Sequence, residues 1–202
     1  MRKIRSTVTL LGALSLLGGI SPIFGAPACG DLENKKPESL LEYLQGERSR
    51  LNRDCVLYAI EQLGNGHYAP AIKTLMGYLD YRKPDPPNFG SPTAPLIRGH
   101  SEWSGSIYPA GTALAQIGKP AIPQLAEVIA EASTSDLVRN NAGDVVFAIY
   151  REDPAEGIAA MVSAAHTKSD PMDSLRLMDQ ARRQAGRCSP QRRNDCENAV
   201  LK

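Results

Sequence analysis

The sequence predicts an all-α protein, a short α–α superhelix or solenoid of about three helix pairs with further helices at its ends. Apolar residues recur at helical spacing in three successive stretches, and a break separates two helices within each stretch. The tripeptide Pro-Ala-Ile occurs at residues 70–72 and again at 120–122, at matched positions of two stretches. Because one helix pair cannot bury its apolar face alone, we expect the pairs to stack.

A short helix is expected first, after Pro37 and before Gly46, ahead of the three pairs. Gly residues end the first helix of two pairs, at 64–66 and at Gly118, since glycine adopts a left-handed helix end without steric cost. The first helices carry these apolar side chains: Leu51, Cys55, Val56, Ala59, Ile60 and Leu63, then Ile107, Gly111, Leu114 and Ile117, then Val138, Ala142, Val145, Val146 and Ile149.

The second helix of each pair begins at or near a proline, where the missing N–H would have no partner. Their apolar faces carry Ile72, Leu75, Met76 and Leu79, then Ile122, Leu125, Val128 and Ile129, then Ile158, Met161 and Val162. A last helix is expected from Pro171, capped by Asp170, with an apolar stripe of Leu175, Met178 and Ala181.

Residues 113–125 continue into Val138, Arg139 and Ala142, and this pattern resembles HEAT repeats, especially the HEAT-like units of phycobilisome lyases. The break in that family often reads Ile-Gly-x-x-Ala-Ile-Pro-x-Leu, and the next unit opens with Val-Arg-x-x-Ala. The resemblance covers roughly residues 50–168, although the first repeat has no Val-Arg pair and Tyr150 replaces the glycine of the third. It implies an α-solenoid but no lyase activity, because the motif is a packing signature without a catalytic group.

The HEAT-like pattern also gives an expectation for the start of the third repeat. Val138 is expected to pack on the preceding unit, whereas Arg139 is expected at the surface, pairing with Asp136 or Glu131.

Residues 1–28 have the features of a signal peptide that is removed on export. Basic residues at positions 2, 3 and 5 precede an uncharged apolar run over 7–20, and small residues follow. That run is shorter than the roughly 20 residues of a membrane helix. We therefore expect a secreted or periplasmic protein, with 29–202 as a single domain. Two alternatives stay open: an uncleaved anchor, and lipid attachment at Cys29.

Four cysteines follow the predicted signal: Cys29, Cys55, Cys188 and Cys196. An even number in an exported chain indicates disulfides. Three pairings are possible, and proximity in sequence favours Cys29 with Cys55 and Cys188 with Cys196. Structural zinc is disfavoured because no CxxC pair and no suitably spaced histidine accompany them.

Residues 82–103 form a proline-rich loop insertion between the first and second repeats. Its five prolines are incompatible with helix over most of its length, and such long connections are often functional. Aromatic and arginine side chains are typical of binding hot spots. The residues predicted to bind a protein partner are therefore Phe89, Arg98, His100, Trp103 and Tyr108. The alternative is that the aromatic side chains pack back onto the solenoid.

Charge argues against a general nucleic-acid binder. Loss of the signal leaves 20 basic and 22 acidic side chains, a net charge near −2. The arginine-rich tail is a local exception that we interpret as a solvated helix end rather than an anion site. It contains Arg182, Arg183, Arg187, Arg192 and Arg193.

No recognised catalytic, cofactor or metal motif is present, so we expect a non-enzymatic protein-interaction or scaffold module. The second helices would supply its concave binding face, with Lys73, Tyr81, Gln124, Glu127 and Glu131. The rival function is a small hydrolase or lyase that uses Arg98, His100 and Glu102. The other histidines, His67 and His166, belong to no motif.

Overall fold

The structure, a computed structural model, describes residues 29–83 and 107–201, and it is all-helical. These residues contain no strand and nine α-helices: α1 (Pro37–Leu44), α2 (Arg53–Asn65), α3 (Ile72–Met76), α4 (Pro109–Ile117), α5 (Ile122–Ala130), α6 (Asp136–Ile149), α7 (Pro154–His166), α8 (Pro171–Ala185) and α9 (Arg193–Val200). The predicted all-α class is confirmed. The predicted signal and most of the proline-rich insertion lie outside the described residues.

Helix starts follow the capping residues in the sequence. The side chain of Asn52 accepts hydrogen bonds from two N–H groups of α2, and Ser135 accepts one from α6. Asp153 and Asp170 cap α7 and α8 in the same way, each directly before a proline at the first helical position. These caps satisfy N–H groups that have no partner within the helix.

The breaks within two helix pairs have matching local structure. Short 3-10 turns over Ala69–Ala71 and Lys119–Ala121 lead directly into α3 and α5. Gly118 takes a positive φ of 85°, which an L side chain rarely adopts. The helix α2 ends at Asn65, within the predicted stop at 64–66, but without a left-handed glycine: Gly66 has a φ of −79°, and His67 takes the positive value of 49° instead.

Helices contact one another in two parallel series. In the first series, α2 contacts α4 and α4 contacts α6; in the second, α3 contacts α5 and α5 contacts α7. At the C-terminal side, α8 packs on α5, α6 and α7, and α9 packs on α7 and α8. Leu114 and Leu125 are fully buried in the shared core. Each helix pair therefore buries apolar surface against its neighbour in the chain.

Gly64 allows α2 to approach α4 closely. A Cβ atom at this position would lie 2.6 Å from the Cα of Ala113, closer than real Cβ atoms come to other atoms. The contact between these first helices therefore depends on the absence of a side chain at Gly64.

Several predicted positions differ in the structure. Leu51 and Ile107 lie outside the helices, and α3 ends at Met76, although Leu79 is buried in the turn that follows. The predicted stripe of α8 is wrong at Leu175, which is 51% exposed. The buried face of α8 instead carries Leu177, Gln180, Ala181, Gln184 and Ala185. Two amides belong to this face, so a stripe chosen from apolar residues alone was placed on the wrong side of the helix.

Arg139 pairs with Asp136 at 2.8 Å, one of the two partners expected, but it does not lie at the surface. Its side chain is only 15% exposed. Its guanidinium donates to the backbone oxygens of Ile129, Glu131 and Thr134 at 2.8–3.1 Å, in the last turn of α5 and just after it. Carbonyls at a helix end lack partners within the helix, and a cation is favourable at that end.

Two disulfides close the ends of the described fold, in the pairing that sequence proximity favoured. Cys29 is bonded to Cys55 with their Cα atoms 5.1 Å apart, and Cys188 is bonded to Cys196 with 6.6 Å between Cα atoms. Paired cysteines indicate an oxidising environment. Among the described helices, none combines the length and apolar composition that a membrane span needs.

Candidate functional site

A groove of about 520 Å³ lies between α4 and α6, beside the segment that follows α8. We call it the α4–α6 groove. It is lined by Thr112, Ala115, Gln116, Phe147, Ala148, Arg151 and Arg187. Residues 112, 115 and 116 share one face of α4, and residues 147, 148 and 151 share one face of α6, as helical spacing requires.

Small side chains create the depth of this groove. Ala115 and Ala148 are only partly buried, and each stands where a longer side chain would fill the space between the two helices. The ring of Phe147 is also partly buried and forms an apolar wall. The lining therefore offers apolar surface that solvent can reach, in a volume large enough for a side chain of another molecule.

Arg187 forms the charged wall of the α4–α6 groove. Its guanidinium carbon lies 5.3 Å from the centroid of the Phe147 ring, a cation–π arrangement. The same guanidinium is paired with Asp144, whose carboxylate also accepts from the amide of Gln184 at 3.3 Å. The next residue, Cys188, is held by the C-terminal disulfide. The ring, the carboxylate and the disulfide of the next residue thus hold Arg187 in place, while its side chain stays 41% exposed.

Arg151 supplies the second cation of this groove. It is exposed just beyond the end of α6, and its guanidinium has no hydrogen bond or ion pair with the residues that the structure describes. Among the residues that the structure describes, the groove lining contains two guanidinium groups and no carboxylate. With Arg187 neutralised by Asp144, the groove has one uncompensated positive charge.

A second groove of about 360 Å³ lies between α2 and α4, and we call it the α2–α4 groove. It is lined by Glu61, Asn65, Lys83, Pro109, Thr112, Ala113 and Gln116. Thr112 and Gln116 also line the α4–α6 groove, so the two grooves meet on α4. The amide of Gln116 donates to the Asn65 side chain at 3.1 Å, which places a polar pair near the junction.

The far end of the α2–α4 groove adjoins Lys83, the last described residue before residues 84–106. The N–H of Lys83 donates to the carbonyl of Ile107 at 2.9 Å, so the described segments on either side of residues 84–106 meet there. The ammonium of Lys83 pairs with Glu61 at 2.6 Å. The two grooves lie side by side and share Thr112 and Gln116 of α4, and we call the surface that they occupy across α2, α4 and α6 the first-helix face.

Tyr108 is the one predicted partner-binding residue that the structure describes. It precedes Pro109 at the start of α4 and is half-buried. The other four, Phe89, Arg98, His100 and Trp103, lie outside the described residues, and so does Glu102 of the predicted hydrolase or lyase site.

Three of the residues predicted for a concave face are engaged within the chain. Glu127 pairs with Lys168 at 2.5 Å, and the hydroxyl of Tyr81 donates to the carbonyl of Arg53 at 3.2 Å. The carboxylate of Glu131 accepts from the hydroxyl of Ser133 at 3.1 Å. Lys73, Gln124 and Glu131 are exposed on the second helices or at their ends.

Sequence reasoning missed most of the α4–α6 groove. Arg187 was considered only as part of the charged tail, and Phe147, Ala115 and Ala148 carried no motif. The available signal was their spacing, because these residues fall off the core stripes of their helices. The two described histidines are far apart in sequence; His67 contacts the carbonyl of Gln116 through Nδ1, and His166 ends α7. In residues 29–83 and 107–201, no three His, Cys, Asp or Glu side chains converge as metal ligands.

No protein-family model matches this chain, and neither a curated protein nor a solved structure matches it. The function must therefore follow from the residues and geometry of the chain itself.

Proposed function

We propose that this protein is an exported, HEAT-like helical-repeat module that binds another protein. The two contact series support a superhelix, since α2, α4 and α6 follow one another in one layer and α3, α5 and α7 in the other. Such stacking is the arrangement by which helix pairs share one continuous core. The disulfides Cys29–Cys55 and Cys188–Cys196 support export.

The partner binds on the first-helix face rather than on the second helices. The observation that carries this placement is the α4–α6 groove, which combines an accessible apolar floor with an arginine that has no partner among the described residues, beside the α2–α4 groove. Interfaces commonly bury aromatic and arginine side chains at their centres, and Phe147, Arg151 and Arg187 supply these types here.

Affinity capture with two matched variants tests this function. Residues 29–202 are immobilised and exposed to envelope and culture fractions of the source cells, as wild type, as Ala115→Trp and as Lys73→Trp. The first variant places tryptophan at a partly buried position in the α4–α6 groove, and the second places it at an exposed position on α3. Circular dichroism confirms that each variant is folded.

We expect a partner that wild type and Lys73→Trp retain and that Ala115→Trp loses. A partner lost only by Lys73→Trp would move the site to the second helices. Folded wild-type protein that captures no partner would contradict the interaction function itself.

A further inference from the structure

We propose that the first-helix face binds one extended peptide segment, about six residues long, whose acidic side chain lies between Arg151 and Arg187. This inference rests on the proposed function, because it names the partner chemistry of the same face. The occupant is a stretch of a partner protein with an apolar residue two positions before the acidic one.

Charge complementarity identifies the acidic group as a carboxylate. The guanidinium of Arg151 is exposed and has no partner among residues 29–83 and 107–201, whereas Arg187 is already paired with Asp144. The groove therefore carries one unbalanced positive charge, which a single carboxylate neutralises. A phosphate of about two negative charges would leave an excess negative charge there. Hydrogen bonds between guanidinium and carboxylate groups are among the strongest that side chains form.

The apolar floor identifies the neighbouring residue. Ala115, Ala148 and the Phe147 ring surround a volume of about 520 Å³, within the roughly 300–1,000 Å³ typical of binding pockets. A leucine or aromatic side chain fits such a space and covers the apolar surface that is now accessible to water. An apolar residue two positions from the acidic one shares its side of an extended chain, so it can enter this floor while the carboxylate reaches the rim.

Helix spacing sets the length of the segment. Packed helices lie about 8–10 Å apart, so a path from α2 over α4 to α6 spans about 20 Å. An extended chain rises about 3.3 Å per residue, and about six residues cover this distance. The amides of Gln116 on α4 and of Asn65 at the end of α2 lie along this path, where peptide backbone groups need hydrogen-bonding partners.

Two synthetic pools of fluorescein-labelled hexapeptides test the proposal by fluorescence anisotropy. Both have amidated C-termini, Leu at position 4 and randomised residues without Asp or Glu at positions 1, 2, 3 and 5. Position 6 is Glu in one pool and Gln in the other, and we call them the Leu-Glu pool and the Leu-Gln pool. We expect the Leu-Glu pool to bind residues 29–202 at least about tenfold more tightly, since a hydrogen bond to a charged group contributes about 1.5–3 kcal/mol. A third pool has Leu at position 4 and phosphoserine at position 6, and it shows whether the groove prefers a phosphate group to a carboxylate.

Variants of single arginines locate the bound carboxylate. Arg151→Gln should weaken binding of the Leu-Glu pool about tenfold and leave the Leu-Gln pool unchanged. Arg193→Gln removes an exposed arginine at the start of α9 and serves as the matched control, with no expected effect. Circular dichroism establishes that both variants are folded.

Equal binding of the Leu-Glu and Leu-Gln pools would overturn the inference, and so would equal losses in the two variants. Tighter binding of the phosphoserine pool would overturn the choice of carboxylate. If no pool binds while Ala115→Trp still abolishes partner capture, the peptide inference fails and the proposed function stands. The proposed function is tested separately, because it is contradicted if folded wild-type protein captures no partner.

Discussion

Arg187 lies over the ring of Phe147, with its guanidinium carbon 5.3 Å from the ring centroid. The contact joins the segment after α8 to the outer face of α6, 40 residues earlier in the sequence. The neighbouring Cys188 is buried and bonded to Cys196. The wall of the α4–α6 groove thus depends on a covalent anchor placed one residue away.

Removal of this anchor should weaken both the fold and the groove. We expect the double variant Cys188→Ser, Cys196→Ser to lose about 2–3 kcal/mol of unfolding free energy, because the unfolded chain regains the entropy of an open loop. Urea denaturation measures the stability, and anisotropy with the Leu-Glu pool measures binding. The matched control is Cys29→Ser, Cys55→Ser, which removes the disulfide at the other end. A control that impaired peptide binding as strongly would contradict a local role for the C-terminal disulfide.

Leu114→Ala and Leu125→Ala should each destabilise the protein by about 2–5 kcal/mol. Both side chains are fully buried, and each truncation leaves a cavity in the core that the helix pairs share. Thermal or urea unfolding monitored by circular dichroism checks this. Leu201→Ala is the control, since Leu201 is 84% exposed. Unchanged midpoints for both core variants would be incompatible with the stacked arrangement.

Gly64→Ala should destabilise the contact between α2 and α4. The new methyl group would lie 2.6 Å from the Cα of Ala113, and relief requires the two helices to separate. Overpacking of this kind typically costs about 1–3 kcal/mol, which urea denaturation measures. Gly30→Ala introduces the same methyl group with no atom within 4 Å. Equal stability of the two variants would show that the helices do not meet at Gly64.

Arg139→Met should lower the unfolding free energy by about 1–3 kcal/mol, because carbonyl groups near the end of α5 lose their donors. Methionine retains much of the apolar stem, so the change reports mainly on the guanidinium. Arg50→Met is the control: its ion pair with Glu47 is exposed, and such pairs contribute about 0–1 kcal/mol. Chemical denaturation of the three proteins side by side gives the comparison. If Arg139→Met were as stable as Arg50→Met, the contacts between Arg139 and the carbonyl groups would contribute nothing to the free energy of unfolding.

Tyr78 should make stability fall at alkaline pH. Burial raises the pKa of its hydroxyl, which donates to the carbonyl of Leu44 at 2.8 Å, although Arg48 acts in the opposite direction. The folded pKa lies above the unfolded value of about 10, so this contribution is complete below pH ~10. It is lost as the pH rises through the folded pKa.

The unfolding free energy of wild type and Tyr78→Phe, measured from pH ~8 to ~11.5, isolates this effect. We expect the difference between them to shrink as the pH rises. A constant difference across the range would mean that Tyr78 does not titrate differently in the two states.

The sequence predicted the helical elements well where local rules determine them. Asp153-Pro154 and Asp170-Pro171 mark helix starts because capping and proline geometry act within a few residues. Leu175 was misplaced because tertiary packing sets the buried face of α8. Its amides at Gln180 and Gln184 are buried against α6, where Gly143 leaves room for Gln180 and Asp144 accepts from Gln184.

The candidate site could not be predicted from single positions. The α4–α6 groove combines small residues of α4 and α6 with an arginine 36 residues beyond Arg151, and no periodic pattern relates them. The helix α9 was likewise missed, since the arginine-rich tail has little apolar signal. Its anchoring residues, Cys196 and Ala199, become buried only when α9 packs on α7 and α8.

Site-specific photo-crosslinking tests most directly whether a partner occupies the first-helix face. Ala148 in the α4–α6 groove and Gln124 on α5 are each replaced by p-benzoylphenylalanine, and the two proteins are irradiated in envelope and culture fractions of the source cells. We predict a crosslinked partner from position 148 and none from position 124. A partner crosslinked only from position 124 would contradict the first-helix face and return recognition to the second helices.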